Sequence, residues 1–463
     1  MKINFKKPTN EKEVLFISVS PKNGSASSPQ VIDEIIKENG VKTFYLKCDA
    51  NMTLRKLFLL VRKVIHNARS TKAEKILFNF NDFKFANIKI SDEELAEIIG
   101  SQLGLANYEF TEYKSKKENN LIKEIYILGT NKNIEKFILK GQIISEEVNK
   151  TRTLANTPGG DMTPSILAQK AKEAVKGMPV NVKVLGEKEM KNLNMHAILS
   201  VGRGSDEESK FIIMEYLAGK KGEKPIVLVG KGVTFDSGGI NLKPASAMLG
   251  MNMDMSGGAS VIHSVALAAK MKLKKNVIGI IPSVENFVSG KSYRPGDVVR
   301  SMSGITIEIL NTDAEGRVIL ADALTYAKKY NPKVVIDIAT LTGAACVALG
   351  ERMSAIFTDS DNLCAKLEKI GNMTGDYVWR LPMWEEYTNE IKGSLGDFTN
   401  IHNKDSRYGG ATYGAIFLHQ FIKGIEWAHI DIAPRMTSMS GEYLAQGALG
   451  SPVYALFKFI EEN

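Results

Sequence analysis

Four acids and two lysines that could together surround a cation lie in two glycine-rich stretches, GKGVTFDSGG at 230–239 and NTDAEGR at 311–317, and in the segment between them. They are Lys231, Asp236, Lys243, Asp254, Asp313 and Glu315. A short apolar run precedes each stretch, so each stretch is predicted to follow a strand. Glycine permits unusual dihedral angles and a close approach of the backbone to a compact ion. The pattern therefore favours a cation-binding site over scattered surface charge.

Asp313 and Glu315 are separated by one residue, and an extended backbone would place both carboxylates on one face. Two like charges held side by side repel each other unless a cation lies between them. An isolated Asp-x-Glu is most often a solvated turn, and an isolated Asp236 is interpreted in the same way. The interpretation changes here because several acids and two lysines share glycine-rich loops after predicted apolar strands.

If the four acids converge, their charge balances that of two divalent cations, and Lys231 can join as a ligand only as the neutral amine. Two such cations can bridge a water, acidify it and polarise a carbonyl, which is the chemistry needed to hydrolyse an amide. The oxygen-rich set suits Mn²⁺ or Mg²⁺ as well as Zn²⁺, so the metal identity stays open. None of the six histidines falls within these stretches, and we interpret them as core or surface residues.

Strands and helices alternate over the last 300 or so residues, which is typical of an α/β fold. The strands are predicted at 226–229, 276–281, 305–310, 334–338 and 428–431, and the helices at 259–271, 318–330, 363–373 and 415–422. Near-continuous apolar strands predict a sheet that is covered on both faces. Ligands of open α/β sheets bind beyond the carboxyl ends of the strands, which is where the charged stretches are predicted to lie.

The N-terminal third shows the same alternation on a smaller scale, with no motif that indicates chemistry. Its strands are predicted at 14–19, 75–79 and 123–128, and its helices at 54–68, 91–106 and 134–154. A cluster of helix-breaking residues at 156–160 favours a domain boundary nearby. We therefore expect a small N-terminal α/β domain at 1–150. A larger α/β catalytic domain at 151–463 is expected to have a mixed, mostly parallel central sheet with helices on both faces.

Length and composition exclude several classes of protein. The chain has 463 residues, 44% of them hydrophobic, which allows a large core and argues against disorder. Three scattered cysteines, no apolar run of membrane-spanning length and no secretory signal predict a cytoplasmic protein without membrane contact. The formal charge of +8 leaves nucleic-acid binding as an alternative. The lysines are dispersed, however, and no helix-turn-helix or basic aromatic surface is evident.

These stretches resemble the leucyl aminopeptidase family of cytosolic dimetal aminopeptidases. NTDAEGR at 311–317 is similar to the signature heptapeptide of that family, and 231–239 is similar to its first metal loop. The resemblance continues through Lys243-Pro244, Asp254 and the segment TLTGA at 340–344. It covers about two thirds of the chain, from roughly residue 152 to the C-terminus. The N-terminal third contributes no diagnostic motif.

The resemblance implies a role for each matching position. The metal ligands would be Lys231, Asp236, Asp254, Asp313 and Glu315, with Glu315 touching both ions. Lys243 and Arg317 would be catalytic without binding metal, and the substrate would be bound by Lys243, Met251, Asn311, Thr340, Leu341 and Gly343. The family is typically a hexamer that removes N-terminal residues from peptides. Each subunit would hold two divalent ions, Zn²⁺ or Mn²⁺, with Mg²⁺ as a further option.

The implied mechanism assigns distinct tasks to the side chains of Lys243 and Arg317. A metal-bridged hydroxide would attack the scissile carbonyl, and Lys243 as an ammonium would stabilise the oxyanion. Arg317 is a poor general base because its guanidinium stays protonated, so in the family it is thought to hold a bicarbonate that transfers the proton. A second alternative is an inactive scaffold, and the presence of both Lys243 and Arg317 argues against it.

Overall fold

The computed structural model describes residues 1–21, 34–38, 40–49, 51–116, 120–404 and 408–463. The chain divides into two compact units, Met1–Asn149 with Ser438–Gln446, and Lys150–Thr437 with Gly447–Asn463. The boundary expected from sequence, between residues 150 and 151, stays a proposal. Within the described residues, every helix is too short or too polar to cross a bilayer.

The first unit is built on a six-stranded sheet with the strand order β1-β6-β5-β2-β4-β3. Its strands are β1 (Lys2–Asn4), β2 (Leu15–Pro21), β3 (Glu34–Glu38), β4 (Val41–Cys48), β5 (Lys75–Asn79) and β6 (Glu124–Leu128). Its helices are α1 (Leu54–Ser70), α2 (Asp92–Ala106) and α3 (Lys132–Asn156), the last of which continues into the second unit. All pairs are parallel except β3 with β4 at the edge.

Local sequence signals explain how the helices of this unit begin and pack. Ser91 and Glu94 form the capping box at the start of α2, with the Ser91 side chain accepting from the Glu94 N–H and the Glu94 carboxylate from the Ser91 N–H. Helices α2 and α3 then pack closely through glycines. A Cβ at Gly100 would lie 2.0 Å from the carbonyl oxygen of Ile138, so only glycine permits this approach.

The second unit contains the remaining elements. Its strands are β7 (Val180–Leu185), β8 (Lys210–Leu217), β9 (Ile226–Gly230), β10 (Gly232–Asp236), β11 (Asn276–Asn286), β12 (Val298–Arg300), β13 (Thr306–Glu308), β14 (Val334–Ala339), β15 (Ser354–Phe357), β16 (Val378–Arg380), β17 (Phe398–Thr399) and β18 (Trp427–Asp431). Its helices are α4 (Pro164–Ala174), α5 (Glu187–Asn192), α6 (His196–Gly202), α7 (Ala245–Met248), α8 (Ser256–Lys270), α9 (Glu315–Ala327), α10 (Gly343–Leu349), α11 (Asp361–Thr374), α12 (Gly410–Ile422) and α13 (Val453–Glu462).

The central sheet of this unit has the order β16-β15-β18-β14-β9-β11-β8-β7, and β10 also pairs with β11. Strands β18, β14, β9 and β11 run parallel, whereas β7, β8 and β15 add antiparallel pairs. A separate three-stranded sheet has the order β12-β13-β17. The prediction of a mixed, mostly parallel sheet is confirmed.

Strand β9 shows why helices must cover both faces of this sheet. Ile226 and Leu228 pack in the apolar cluster formed with α4, α8, α11 and α13, whereas Val227 and Val229 pack in the cluster formed with α6, α9 and α12. Successive side chains of a strand point to opposite faces, so a strand that is apolar at every position is buried on both. The predicted two-sided burial is confirmed.

Two local predictions were wrong. The glycine-rich stretch after β9 is not a loop throughout, because residues 232–236 form β10 and pair in parallel with the end of β11. Asp313 and Glu315 do not lie on an extended strand either. The preceding strand is only Thr306–Glu308, and Glu315 is the first residue of α9. The two carboxylates therefore meet across a helix start and not on one face of a strand.

Candidate active site

The carboxyl ends of parallel strands gather polar residues at one edge of the central sheet. Lys231 follows β9, Thr340 follows β14, and Asn286 and Asp431 are the last residues of β11 and β18. Asp236 ends β10, where it is the register partner of Asn286. In an open α/β sheet this edge is where ligands bind. The apolar strands thus place the charged stretches together without contributing charge themselves.

Lys231 lies between two acids that are distant in sequence. Its Nζ is 2.8 Å from Asp254 Oδ2 and 2.8 Å from Glu315 Oε1, and it donates to the carbonyl oxygen of Thr340 at 3.0 Å. The side chain is only 4% exposed. Burial alone lowers the pKa of Lys231, but the charges of Asp254, Glu315 and Asp236 outweigh it and raise the pKa above its ordinary value.

Lys243 holds the other two acids. Its Nζ is 2.9 Å from Asp236 Oδ2 and 2.5 Å from Asp313 Oδ1. The side chain of Lys243 is 13% exposed and that of Asp313 is 34% exposed, so this pair borders solvent. Burial lowers the pKa of Lys243, and the neighbouring carboxylates, Asp236 first, raise it overall. The two lysines thus divide the four acids into a buried pair and a more open pair.

The carboxylates are close enough to share cations. One oxygen each of Asp236, Asp313 and Glu315 lie within 4.8 Å of one another. Three buried oxygens, Asp254 Oδ2, Asp313 Oδ1 and Glu315 Oε1, accept no hydrogen bond of good geometry. Burial raises the pKa of Asp254, Asp313 and Glu315, and the charge of Asp236 raises each pKa further against the opposing lysines.

Asn286 joins the two stretches that bear carboxylates, and sequence reasoning missed it. Its Nδ2 donates to Asp236 Oδ1 at 2.8 Å and to the backbone carbonyl of Thr312 at 3.0 Å. The backbone carbonyl of Asn286 accepts from the Ser237 N–H at 3.0 Å. The side chain is wholly buried. A polar residue at the end of a long apolar run was the available signal. Asn286 was missed because the predicted strand ended at residue 281.

Thr312 fixes the backbone next to Asp313. Its Oγ1 donates to the Gly238 carbonyl at 2.7 Å and accepts from the Asn241 N–H at 2.8 Å. The buried Tyr293 hydroxyl donates to the Thr312 carbonyl at 2.7 Å. These bonds tie the Asp313 stretch to the loop that leads to Lys243, so the proposed ligands are held by interlocking backbone contacts.

The start of α9 presents Glu315 and Arg317. Gly316 lies directly against Lys231, because a Cβ at this position would be 2.7 Å from Lys231 Cε. Arg317 is buried and its Nη1 donates to the carbonyl oxygen of Asn400 at 2.8 Å, whereas its Nε donates no hydrogen bond. Burial lowers the pKa of Arg317 to about 10. Arg317 therefore has donor capacity left for an anion.

The predicted substrate residues differ in how closely they join the cluster. Asn311 accepts the Asp313 N–H on its Oδ1 at 2.8 Å, and Thr340 contacts the cluster through Lys231, as described above. Leu341 lies half-buried on the loop after β14. Met251 starts the 3-10 segment Met251–Met255, which carries Asp254. Gly343 begins α10, and a Cβ there would meet no atom within 4 Å.

The donor set fits divalent cations. Four carboxylates converge on two lysines, so the acids exceed the cationic side chains, and carboxylate oxygens are the ligands that Mn²⁺ and Mg²⁺ prefer. Lys231 fits the ligand role only after losing its proton, because an ammonium has no lone pair. Metal charge beside Lys231 would favour that loss, since a nearby cation lowers the pKa of an amine.

Comparisons with known proteins identify the family. Residues 149–457 match the catalytic domain of the cytosol aminopeptidase family. A "Probable cytosol aminopeptidase" of Azoarcus sp. is 47% identical over 348 residues, covering 75% of this chain and 68% of the relative. A protein of the same name from Rickettsia rickettsii is 40% identical over 452 residues, covering 95% and 89%.

A solved structure shares the fold. The "Bottromycin maturation enzyme BotP in complex with Mn" superposes with a TM-score of 0.87 at 27% identity, covering 97% of this chain and 99% of that one. The family match spans well over half of the chain, and the relatives exceed 30% identity over most of it. The chain therefore belongs to the cytosol aminopeptidase family.

Proposed function

We propose that this aminopeptidase is a metal-dependent enzyme of the leucyl type that removes N-terminal residues from peptides. The observation that carries the proposal is the convergence of Asp236, Asp254, Asp313 and Glu315 around two lysines at the carboxyl edge of the sheet. Carboxylates crowded in this way are stable only with cationic partners. Membership of the family supports peptides as the substrate class.

The metal site would comprise Lys231, Asp236, Asp254, Asp313 and Glu315. Two divalent cations, when bound, supply an activated water and a Lewis acid for the peptide carbonyl. Zn²⁺, Mn²⁺ and Mg²⁺ are all compatible with this set, and the similar solved structure is a complex with Mn. Residues Asn286 and Gly238 hold Asp236 in place through hydrogen bonds to its Oδ1 at 2.8 and 2.9 Å.

Lys243 would act on the substrate, and Arg317 would act on the transfer of the proton. Lys243 would act as an ammonium, and it would donate to the oxyanion that forms at the scissile carbonyl. Arg317 would hold a bicarbonate with its free donors, and that anion would carry the proton that a guanidinium cannot accept. Met251, Asn311, Thr340, Leu341 and Gly343 would line the substrate site.

The assembly and the location are proposals that rest on the family. A homohexamer is the expected assembly, and the word "cytosol" in the names of the relatives supports a cytoplasmic location. The nucleic-acid-binding alternative gains no support, because the names of the family and of these relatives describe peptidases. DNA binding stays a prediction, and steep salt-dependent binding to duplex DNA would support it.

The deciding experiment pairs metal analysis with turnover in site variants. Asp313→Ala and Glu315→Ala are expected to lower the hydrolysis of leucine p-nitroanilide roughly a thousandfold or more, because several kcal/mol of transition-state stabilisation would be lost. Both variants should also bind less Mn²⁺ or Zn²⁺ in an equilibrium titration. Chelation should inactivate the unaltered enzyme, and added metal should restore it.

Glu285→Gln is the matched control. Glu285 is buried near the same sheet edge but accepts from Ser205 Oγ at 2.6 Å, a bond that glutamine keeps. This variant should retain both activity and metal content. Near-normal turnover in Glu315→Ala, or full activity of the native chain after metal removal, would overturn the proposed function.

A further inference from the structure

Asp431 is a buried acid that the proposed chemistry does not use. It ends β18 and is wholly buried. Its Oδ1 accepts from the Leu341 N–H at 3.1 Å and from the Ala433 N–H at 3.1 Å, and its Oδ2 accepts from Thr342 Oγ1 at 2.7 Å. The carboxylate thus holds the loop that links β14 to α10.

The same loop contacts the carboxylate cluster from its other side. The Thr340 carbonyl accepts from Lys231 Nζ at 3.0 Å, and Thr340 Oγ1 donates to Asp254 Oδ1 at 2.6 Å. Three consecutive residues, 340–342, are therefore fixed between Asp431 and the proposed metal ligands.

Open space lies at one end of this loop and a packed helix lies at the other. A Cβ at Gly343 would meet no atom within 4 Å, so the chain is accessible there. A Cβ at Gly414, on α12, would lie 3.1 Å from Leu341 Cδ2 and 3.3 Å from Arg317 Nη2. Leu341 therefore packs beside the helix that also lies next to Arg317, whereas the chain is exposed at Gly343.

Holding a loop with a buried carboxyl group costs free energy of desolvation. The groups that donate hydrogen bonds to Asp431 are two backbone N–H groups and a hydroxyl, and burying a carboxyl group is costly unless it is hydrogen-bonded. Hydrogen bonds to a charged acceptor are also roughly twice as strong as neutral ones. Strong anchoring of the loop is what such a residue provides.

We propose that Asp431 is a positioning residue that holds the loop 340–342 in the conformation that binds the peptide substrate. Asp431 touches no reacting group itself and acts through Leu341 and Thr342. The inference rests on the proposed function, since it assigns the loop to the substrate site of that reaction. Losing the anchor should weaken substrate binding more than it slows the chemical step, because the carboxylates and Lys243 keep their own contacts.

The first test uses Thr342, the side-chain partner of Asp431, in the manganese-loaded enzyme. Thr342→Val removes the hydroxyl at nearly constant volume, and Thr342→Ser keeps it. With leucine p-nitroanilide, the valine variant should raise KM about tenfold while kcat changes about twofold or less. The serine variant should keep KM close to that of the native enzyme. Equal KM values for the two variants would overturn the proposal.

The second test is a double-mutant cycle. Asp431→Ala should raise KM at least as much as Thr342→Val, and the double variant should be far less impaired than the product of the single effects, because both variants remove the hydrogen bond between Asp431 Oδ2 and Thr342 Oγ1. Independent, multiplicative effects would contradict the proposal. If Asp431→Ala does not fold, Asp431→Asn takes its place in the cycle, because the amide oxygen can still accept the two backbone N–H groups.

Asp337→Asn controls for burial. Asp337 is also a wholly buried aspartate, on the neighbouring strand β14, but its partners are His429 and Trp427 and not the loop. It should lower thermal stability without raising KM. If Asp337→Asn raises KM as much as Thr342→Val, the loop is not the cause. Failure of the proposed function is seen separately, since Glu315→Ala would then remain active whatever the KM of these variants.

Discussion

The two sheets of this protein share a design but differ at their buried positions. In the small sheet, β1 to β6, every strand residue that the structure describes as buried is apolar. The large sheet buries polar and charged residues at the ends of its strands and inside them. Among them are Asp236, Asn286, Asp337, His429 and Asp431.

The difference shows that the fold does not by itself supply chemistry. Both sheets are mostly parallel, and both direct the carboxyl ends of several strands to one edge. A buried charge is costly unless it is paired, and in the large sheet Asp236 pairs with Lys243 and Asp337 with His429. The site therefore depends on the side chains at the strand ends, and the sheet provides their placement.

The two sheets should differ most in how substitutions affect kcat. After the proposed metal ligands, Lys243 is expected to show the largest effect. Lys243→Met should lower kcat about 10²- to 10³-fold, because a preorganised donor to the oxyanion would be lost. KM should change much less, since the donor acts mainly in the transition state. Steady-state hydrolysis of leucine p-nitroanilide measures both constants.

Lys210→Met is the corresponding control within the same sheet. Lys210 starts β8 opposite Ser283 of β11, and it pairs with Glu208 at 2.5 Å and not with a carboxylate of the cluster. Its replacement should leave kcat within about twofold of the native value, as expected for a surface ion pair. If Lys243→Met were equally harmless, Lys243 would be a structural counter-ion and not a catalytic group.

A smaller effect is expected at the buried pair in the middle of the large sheet. His429 Nδ1 lies 2.5 Å from Asp337 Oδ1, and the two residues are register partners on β18 and β14. Burial lowers the pKa of His429, but the charge of Asp337 outweighs it, and the folded pKa is raised overall. The stabilisation is therefore fully present below about pH 6.5, the unfolded pKa, and is lost as pH rises through the folded pKa.

Asp337→Asn tests this linkage. The variant should lose more free energy of unfolding, relative to the native chain, below about pH 6.5 than at about pH 9. Urea unfolding at the two pH values provides the measurement. A stability difference that stays constant with pH would show that His429 does not carry a charge in the folded protein. The small sheet, whose described strands bury only apolar residues, offers no equivalent pair.

The smallest effect is expected at the end of a strand in the small sheet. Asn79 ends β5, and its Oδ1 accepts from the Asn81 N–H at 3.0 Å, capping the short 3-10 helix Phe80–Phe83. Asn79→Ala should cost about 1 kcal/mol of stability, as for the loss of a cap, and leave kcat/KM unchanged. A clear fall in kcat/KM would break the comparison, because it would give the small sheet a part in the chemistry.

The family and the outline of the fold could be predicted from local sequence signals. The apolar runs at 226–229 and 334–338 are strands, and the capping box at Ser91 begins a helix, because periodicity and caps are local properties. Strand β10 was missed because its polar and glycine residues, from Gly232 to Asp236, resemble a loop. It is a strand because it pairs with β11, a partner more than 40 residues away.

The sequence by itself determined which chemical groups are present and that they follow buried strands, because residue type and short-range pattern are written in the chain. Only the tertiary structure decided which acid faces which lysine. It pairs Lys231 with Asp254 and Glu315, and Lys243 with Asp236 and Asp313. It also brought in Asn286, whose partner Asp236 lies on β10, and Asp431, which holds the loop after β14. The physical reason is that these contacts form between residues distant in sequence, at distances that the packing of the sheet and its helices sets.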